Sequence, residues 1–179
     1  MRTVTYGAAC SLDGFIAAKD GSLDWLHFSR DVQDFMATFW KSIDTILMGR
    51  KTWDVTTAMA GGGGGGGGGS SKMRTYVFSR TLKQITQRGV ELVSGDAGEF
   101  VRDLKGKPGK GICVMGGGDL ARSLFETGVI DEVGMNMHPV LLGSGIPLFL
   151  DPGHRIALEL VENRTIDGGC VLAQYRVKH

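Results

Sequence analysis

Short apolar runs and amphipathic stretches alternate along the chain, and this alternation predicts strands separated by helices. Runs rich in Val, Ile, Thr and Tyr predict strands over Thr3–Ala9, Thr45–Met48, Arg74–Phe78, Val90–Val93, Gly111–Met115 and Asp131–Met137. Between the first two, Val32, Phe35, Met36, Phe39, Trp40 and Ile43 recur at helical spacing and form one apolar stripe. The first long helix is placed there, and its aromatics are assigned to the core rather than to a cofactor. Strands alternating with helices favour an α/β sheet covered on both faces. The end of the chain changes character. Ile156–Ile166 and Cys170–Val177 flank Asp167-Gly168-Gly169, a turn signal, so an antiparallel hairpin is expected to close one sheet edge.

Three of these strands end in residues suited to phosphate. Ile46-Leu47-Met48 runs into Gly49-Arg50-Lys51-Thr52-Trp53, where glycine admits close backbone approach and a starting helix would aim unpaired N–H groups at a ligand. Arg50 adds a guanidinium fork that can grip a phosphate bidentately. A solvated helix start would account for the same residues. A second strand ends in Gly116-Gly117-Gly118-Asp119-Leu120 and opens a helix whose apolar residues are Leu120, Ala121, Leu124 and Phe125. Consecutive glycines at a helix N-terminus suit a pyrophosphate. The third strand ends in Ser79-Arg80-Thr81, again a hydroxyl beside a cation. Neither the Gly-x-Gly-x-x-Gly fingerprint nor the Walker pattern is present.

The ordered set Ser11-Leu12-Asp13-Gly14, Gly49-Arg50-Lys51-Thr52-Trp53, Phe78-Ser79-Arg80, Gly116-Gly117-Gly118 and Pro139-Val140-Leu141-Leu142-Gly143-Ser144-Gly145 resembles the dihydrofolate reductase superfamily. The Asp131-Glu132 strand, followed by Pro-x-x-x-Gly-x-Gly-x-Pro-Leu-Phe, is closer to stand-alone relatives of the riboflavin-biosynthesis reductase domain. The resemblance runs from about Val4 to the C-terminus. It implies an α/β, three-layer dihydrofolate reductase-like fold: a mostly parallel sheet flanked by helices, with the antiparallel hairpin at its end. It also implies NADPH as cofactor and hydride transfer to a small conjugated heterocycle, pterin-like or pyrimidinone-like. Gly49, Arg50, Lys51, Thr52, Ser79 and Arg80 would surround the adenosine 2′-phosphate and bridging phosphates, and Gly116, Gly117, Gly118, Asp119 and Leu120 would cradle the pyrophosphate. Ala9 and Ile16 would lie near the nicotinamide. A protein that keeps the cofactor site without the chemistry is the alternative.

Dihydrofolate reductases use a carboxylate on the first long helix, for which the candidates here are Asp31 and Asp34. At about 100° per residue Asp34 falls opposite the apolar stripe, whereas Asp31 lies on its flank. Distance to Gly49 favours Asp34 instead; Asp31 is taken as the proton-donor candidate, with an N-capping or solvated role as its rival. Asp13-Gly14 is either part of the substrate loop or an ordinary turn. The riboflavin reductase pattern usually carries Lys or Arg where Phe15 stands, which argues against a phosphorylated ribosylaminopyrimidine as substrate. The His-x-Glu and Pro-Cys-x-x-Cys zinc signature of the accompanying deaminase is missing.

Composition narrows the remaining classes. The 179 residues, 42% hydrophobic, suit one domain spanning 1–179. Twenty Lys+Arg balance 19 Asp+Glu, which argues against nucleic acid or an anionic membrane as partner. No apolar run has transmembrane length and the N-terminus enters a strand, so a cytoplasmic protein is expected. Cys10, Cys113 and Cys170 read as reduced core thiols, and the four histidines lack metal spacing. Gly61–Gly69 with Ser70-Ser71 reads as a flexible loop over 61–71, a lid being the alternative. The apolar C-terminal strands, with Val140-Leu141-Leu142 and Ile146-Pro147-Leu148-Phe149, exceed what one sheet face covers, so a homodimer is expected.

Overall fold

The computed structural model describes residues 1–59 and 73–178, so the expected glycine loop lies outside the described residues. The elements run β1 (Val4–Ser11), β2 (Phe15–Ala17), α1 (Arg30–Ser42), β3 (Ile43–Gly49), α2 (Arg50–Met59), β4 (Arg74–Phe78), β5 (Val90–Val93), α3 (Ala97–Lys105), β6 (Gly111–Met115), α4 (Gly118–Glu126), β7 (Glu132–His138), β8 (Ile146–Pro147), β9 (Leu158–Ile166) and β10 (Cys170–Val177). Eight strands form one sheet in the order β5-β4-β3-β6-β1-β7-β10-β9. Neighbours from β5 to β7 are parallel, and the last two strands are antiparallel to their neighbours. This is a dihydrofolate reductase-like arrangement with its C-terminal hairpin.

Alternation along the strands supplies two buried faces. Ile46, Met48 and Val77 pack toward Trp40 of α1 and Trp53 of α2. On the other face Val4, Tyr6, Leu47, Ile112, Val114 and Tyr76 pack with Val101 and Leu104 of α3 and with Leu120, Leu124 and Phe125 of α4. The C-terminal hairpin turns through Gly168 and Gly169, both at positive φ, and Arg2 is held by Asp44 and Thr45 at the start of β3.

The first long helix departs from the sequence expectation. Ser29 caps α1 by accepting the Val32 N–H, and the helix stops where Ile43 becomes extended and enters β3 directly. Ile43 therefore belongs to a strand. Of the apolar stripe on the helix only Val32 is buried; Phe35, Phe39 and Trp40 are half-buried and Met36 is 36% exposed. The helix is anchored near its start by Val32 and Phe35 on Ile166, Cys170 and Leu172, and near its end by Trp40 on the β3–β4 cluster. Its aromatics are not the closed core that the periodicity implies.

Candidate active site at the carboxyl ends of the parallel strands

The chain leaves β3 for α2 on one face of the sheet and leaves the adjacent β6 for α4 on the other. Their carboxyl ends therefore diverge, making the kind of crevice where open α/β sheets bind ligands. Register pairs Met48 with Met115 and Gly49 with Phe78, so Gly49–Thr52, Ser79–Arg80 and Gly116–Leu120 come to one edge.

The Gly116–Gly117 peptide is clamped from both sides. The Tyr6 hydroxyl, which donates to the Leu148 carbonyl, also lies 3.2 Å from the Gly116 carbonyl oxygen. Because the trans peptide aims its N–H the opposite way, the Gly117 N–H meets the Thr52 hydroxyl at 3.4 Å. Burial pushes the Tyr6 pKa upward, so its proton stays on for this duty. Gly116 has φ +90°, and a Cβ there would lie 2.0 Å from Thr52 Oγ1. A Cβ on Gly118 would lie 2.7 Å from Leu150 Cγ, whereas one on Gly117 would meet nothing within 4 Å. Gly117 is the N-cap of α4 and supplies no side-chain bond to the first turn. The first-turn N–H groups of α4 thus border open space.

The cations are positioned unevenly. Arg50 Nη1 donates to Thr81 Oγ1 at 3.0 Å and its Nε lies 3.4 Å from Asp54, which fixes the guanidinium beside the β4 end. Lys51 and Arg80 are exposed. Ser79 Oγ accepts the N–H groups of Thr81 and Leu82, shaping the turn that carries Arg80. Asp119 is exposed, and the Leu120 side chain is buried in the core, leaving only its backbone for a ligand. Ala9 pairs with Asn136 on the α1/α2 face, and Ile16 packs against the cluster on the opposite face.

Asp31 lies at the start of α1, against the β9–β10 turn. Its carboxylate accepts the Asp167 N–H at 3.2 Å, joining the first turn of α1 to the β9–β10 turn. Asp13 acts as a latch: it accepts the Ser11 hydroxyl at 2.6 Å, the Gly143 N–H at 2.7 Å and the Leu142 N–H at 3.2 Å. The Ser11 hydrogen bond leads in holding its carboxyl below the usual range, so it stays ionised. The Pro139–Gly145 segment is thereby tied to the turn after β1. A Cβ on Gly145 would lie 2.2 Å from the Ala17 carbonyl oxygen, and Leu148 N–H donates to Gly14. Gly145 gives way to β2 beside the β2–β8 pairing, two short strands that local sequence patterning did not reveal.

The sequence did not reveal that His27, His138 and Cys170 meet. His138 is 2% exposed; its Nδ1 accepts the His27 N–H at 3.3 Å and lies 3.4 Å from Cys170 Sγ. Burial and neighbouring His27 lower its pKa, which keeps the ring neutral. Burial raises that of Cys170, whose thiol keeps its proton. The only available signal was the alternation Gly134, Asn136, His138 on one face of β7.

The family model of the RibD C-terminal domain matches residues 2–172. The chain belongs to the RibD C-terminal domain family. It is 34% identical over 180 residues to the uncharacterized protein YyaP of Bacillus subtilis (strain 168), covering 97% of this chain and 94% of that one. The crystal structure of a riboflavin biosynthesis protein assigned from Shewanella sp. PV-4 superposes with a TM-score of 0.85 at 26% identity, covering 99% of both chains. A Thermotoga maritima diaminohydroxyphosphoribosylaminopyrimidine deaminase/5-amino-6-(5-phosphoribosylamino)uracil reductase shares the fold, with a TM-score of 0.73 at 17% identity over 99% of this chain and 57% of that one. The chain thus shares both the family and the architecture of the RibD C-terminal domain. No described helix is long and apolar enough to cross a membrane.

Proposed function

We propose that the protein is an NADPH-dependent reductase of a small conjugated heterocycle. The observation that carries this reading is the α4 N-terminus, where Gly117 leaves open space beside uncapped N–H groups and Thr52 and Tyr6 hold the preceding peptide rigid. A rigid donor set facing solvent suits a pyrophosphate because no reorganisation is needed on binding. Arg50, held by Thr81, is the candidate for the 2′-phosphate, with Lys51 and Arg80 nearby. The cofactor, when bound, supplies a hydride. The chain's own part is to orient both reactants above the strand ends and to exclude water. A proton would come from solvent or from Asp31, whose present contact is with the Asp167 N–H.

Calorimetry with the two nicotinamide cofactors tests this directly. A charge-assisted hydrogen bond contributes roughly 1.5–3 kcal/mol, or about 10- to 150-fold in affinity. Arg50→Ala is expected to weaken NADPH by that order and leave NADH nearly unchanged. Equal losses for both would move Arg50 to the shared pyrophosphate. A wild-type protein that binds neither nucleotide would end the reductase reading, and tight binding without turnover of any pterin or pyrimidinone would favour the binding-module alternative.

A soluble homodimer is part of the same proposal. β9 is an edge strand on which every residue except Ile166 is exposed, including Leu158 at 40%, Leu160 at 50% and Val161 at 49%. An exposed apolar edge of this length invites pairing with another strand or sheet. Sedimentation is expected to give twice the 19.2 kDa chain mass at micromolar concentration, and Leu160→Asp to return the monomer. A wild-type monomer over that range removes the dimer.

A further inference from the structure

Strand β7 lies inside the sheet, between β1 and β10, and its residues facing α1 and α2 are Glu132, Gly134, Asn136 and His138. Glu132 Oε2 accepts from Thr5 at 3.3 Å and from Gln174 at 3.0 Å. Gly134, Asn136 and His138 each leave open space or an unpaired atom on this face. A Cβ on Gly134 would meet nothing within 4 Å, although the position is flanked by strands on both sides. Its neighbour Gly7 on β1 has room for no Cβ without reaching the Gly134 carbonyl oxygen at 3.0 Å. Glycine inside a strand weakens it, and its presence marks a place where another group approaches the backbone.

Beyond this bare floor stand the three buried side-chain polar atoms for which the described residues provide no hydrogen-bond partner: Asn136 Oδ1, His138 Nε2 and Trp25 Nε1. Trp25 meets His138 edge-on, with ring centroids 5.4 Å apart at 89°. Their chemistry is complementary. His138 Nδ1 accepts the His27 N–H, so the ring proton of the neutral imidazole resides on Nε2 and makes it a donor. Trp25 Nε1 is a donor and Asn136 Oδ1 an acceptor. The edge-on contact gives one of the two rings a π partner but leaves Asn136 without any. Buried polar groups are almost always paired, so unpaired ones gathered on one strand face are unusual for packing alone.

We propose that Gly134, Asn136 and His138, with Trp25 beside them, read the substrate of this reductase, selecting a planar heterocycle with a lactam edge. The ring lies over Gly134 and Gly7. Its N–H donates to Asn136 Oδ1, and the adjacent carbonyl accepts from His138 Nε2 or Trp25 Nε1. The half-buried aromatics of α1 lie on the same side of the sheet as this floor. The assignment rests on the reductase reading for its role and stands on β7 for its geometry.

The test uses the full chain with two probes that differ by a single N–H, 1-methyluracil and 1,3-dimethyluracil, followed by ligand-observed NMR and tryptophan fluorescence. One lost hydrogen bond corresponds to about tenfold in affinity, so 1-methyluracil is expected to bind about ten times more tightly. Asn136→Ala should abolish that difference, and Asn136→Leu repeats the test without shortening the side chain. Gly134→Val, which fills the floor with a residue favoured in strands, should eliminate binding of both probes while leaving the melting temperature unchanged or raised. Equal binding of the two probes by the wild type, failure of both to bind, an unchanged preference in the Asn136 variants, or wild-type binding by Gly134→Val would overturn the assignment. The NADPH-induced melting shift is recorded in parallel. If that shift is absent while the probes are still discriminated, the reductase reading fails alone; if it is present with no discrimination, the β7 assignment fails alone.

Discussion

Gly116→Ala is expected to destabilise the protein by about 2–5 kcal/mol, the sum of about 1–2 kcal/mol for a side chain at left-handed φ and about 1–3 kcal/mol for overpacking. The backbone at Gly116 has φ +90°, and the added Cβ would fall 2.0 Å from Thr52 Oγ1 and 2.5 Å from Thr52 Cγ2. Neither partner is free to retreat. Thr52 is in the first turn of α2, and the Gly116 carbonyl is held by Tyr6. For a chain of this size the loss corresponds to roughly 5–20 °C in melting temperature. Thr52→Ala removes the two closest atoms but keeps Cβ, 2.7 Å from the new methyl, so the double variant should recover part of the loss. Because the same peptide orders the α4 N-terminus, NADPH affinity should fall with stability. A Gly116→Ala protein that melts like the wild type would show that the two helix starts are not rigidly joined.

The second large effect is expected far from the site. Lys105, in the last turn of α3, is 9% exposed and donates to the Val129 carbonyl at 3.2 Å and to Asp131 Oδ1 at 2.7 Å. The other Asp131 oxygen accepts the Val4 N–H at 2.8 Å, and the Asp131 main chain bonds Val4 and Val177. One ion pair thus ties α3 to the starts of β1 and β7 and the end of β10. Breaking a buried pair by removing one partner costs about 3–5 kcal/mol; with the Asp131 side chain 29% exposed, Lys105→Ala is expected to lose about 2–4 kcal/mol in urea unfolding. Nucleotide affinity should stay at the wild-type level, since the pair lies at the opposite ends of the strands. A loss under 1 kcal/mol would mean that water replaces the ammonium at little cost.

The sequence by itself determined the elements whose signals are local. Arg74–Phe78, Val90–Val93, Gly111–Met115 and Cys170–Val177 are strands with the bounds that apolar runs and flanking turn residues gave them. The cations and glycines at Gly49–Thr52, Ser79–Arg80 and Gly116–Leu120 could be grouped in advance because parallel strands put their carboxyl ends at one edge, so any residue that ends such a strand shares that edge with the others. What the tertiary structure alone decided are the relations between distant segments. The apolar stripe of α1 says which side of the helix avoids water, but coverage depends on how closely the sheet approaches, and Met36 and Phe39 remain partly open. Asp31 and Asp13 carry no mark of their partners, the Asp167 N–H and the 142–143 backbone, because those hydrogen bonds close loops of more than a hundred residues. The β2–β8 pair is too short for periodicity to show. Asn136, His138 and Trp25 look like ordinary polar and aromatic residues until the fold buries their polar atoms together, since a hydrogen-bond deficit is a property of the surroundings and not of the residue.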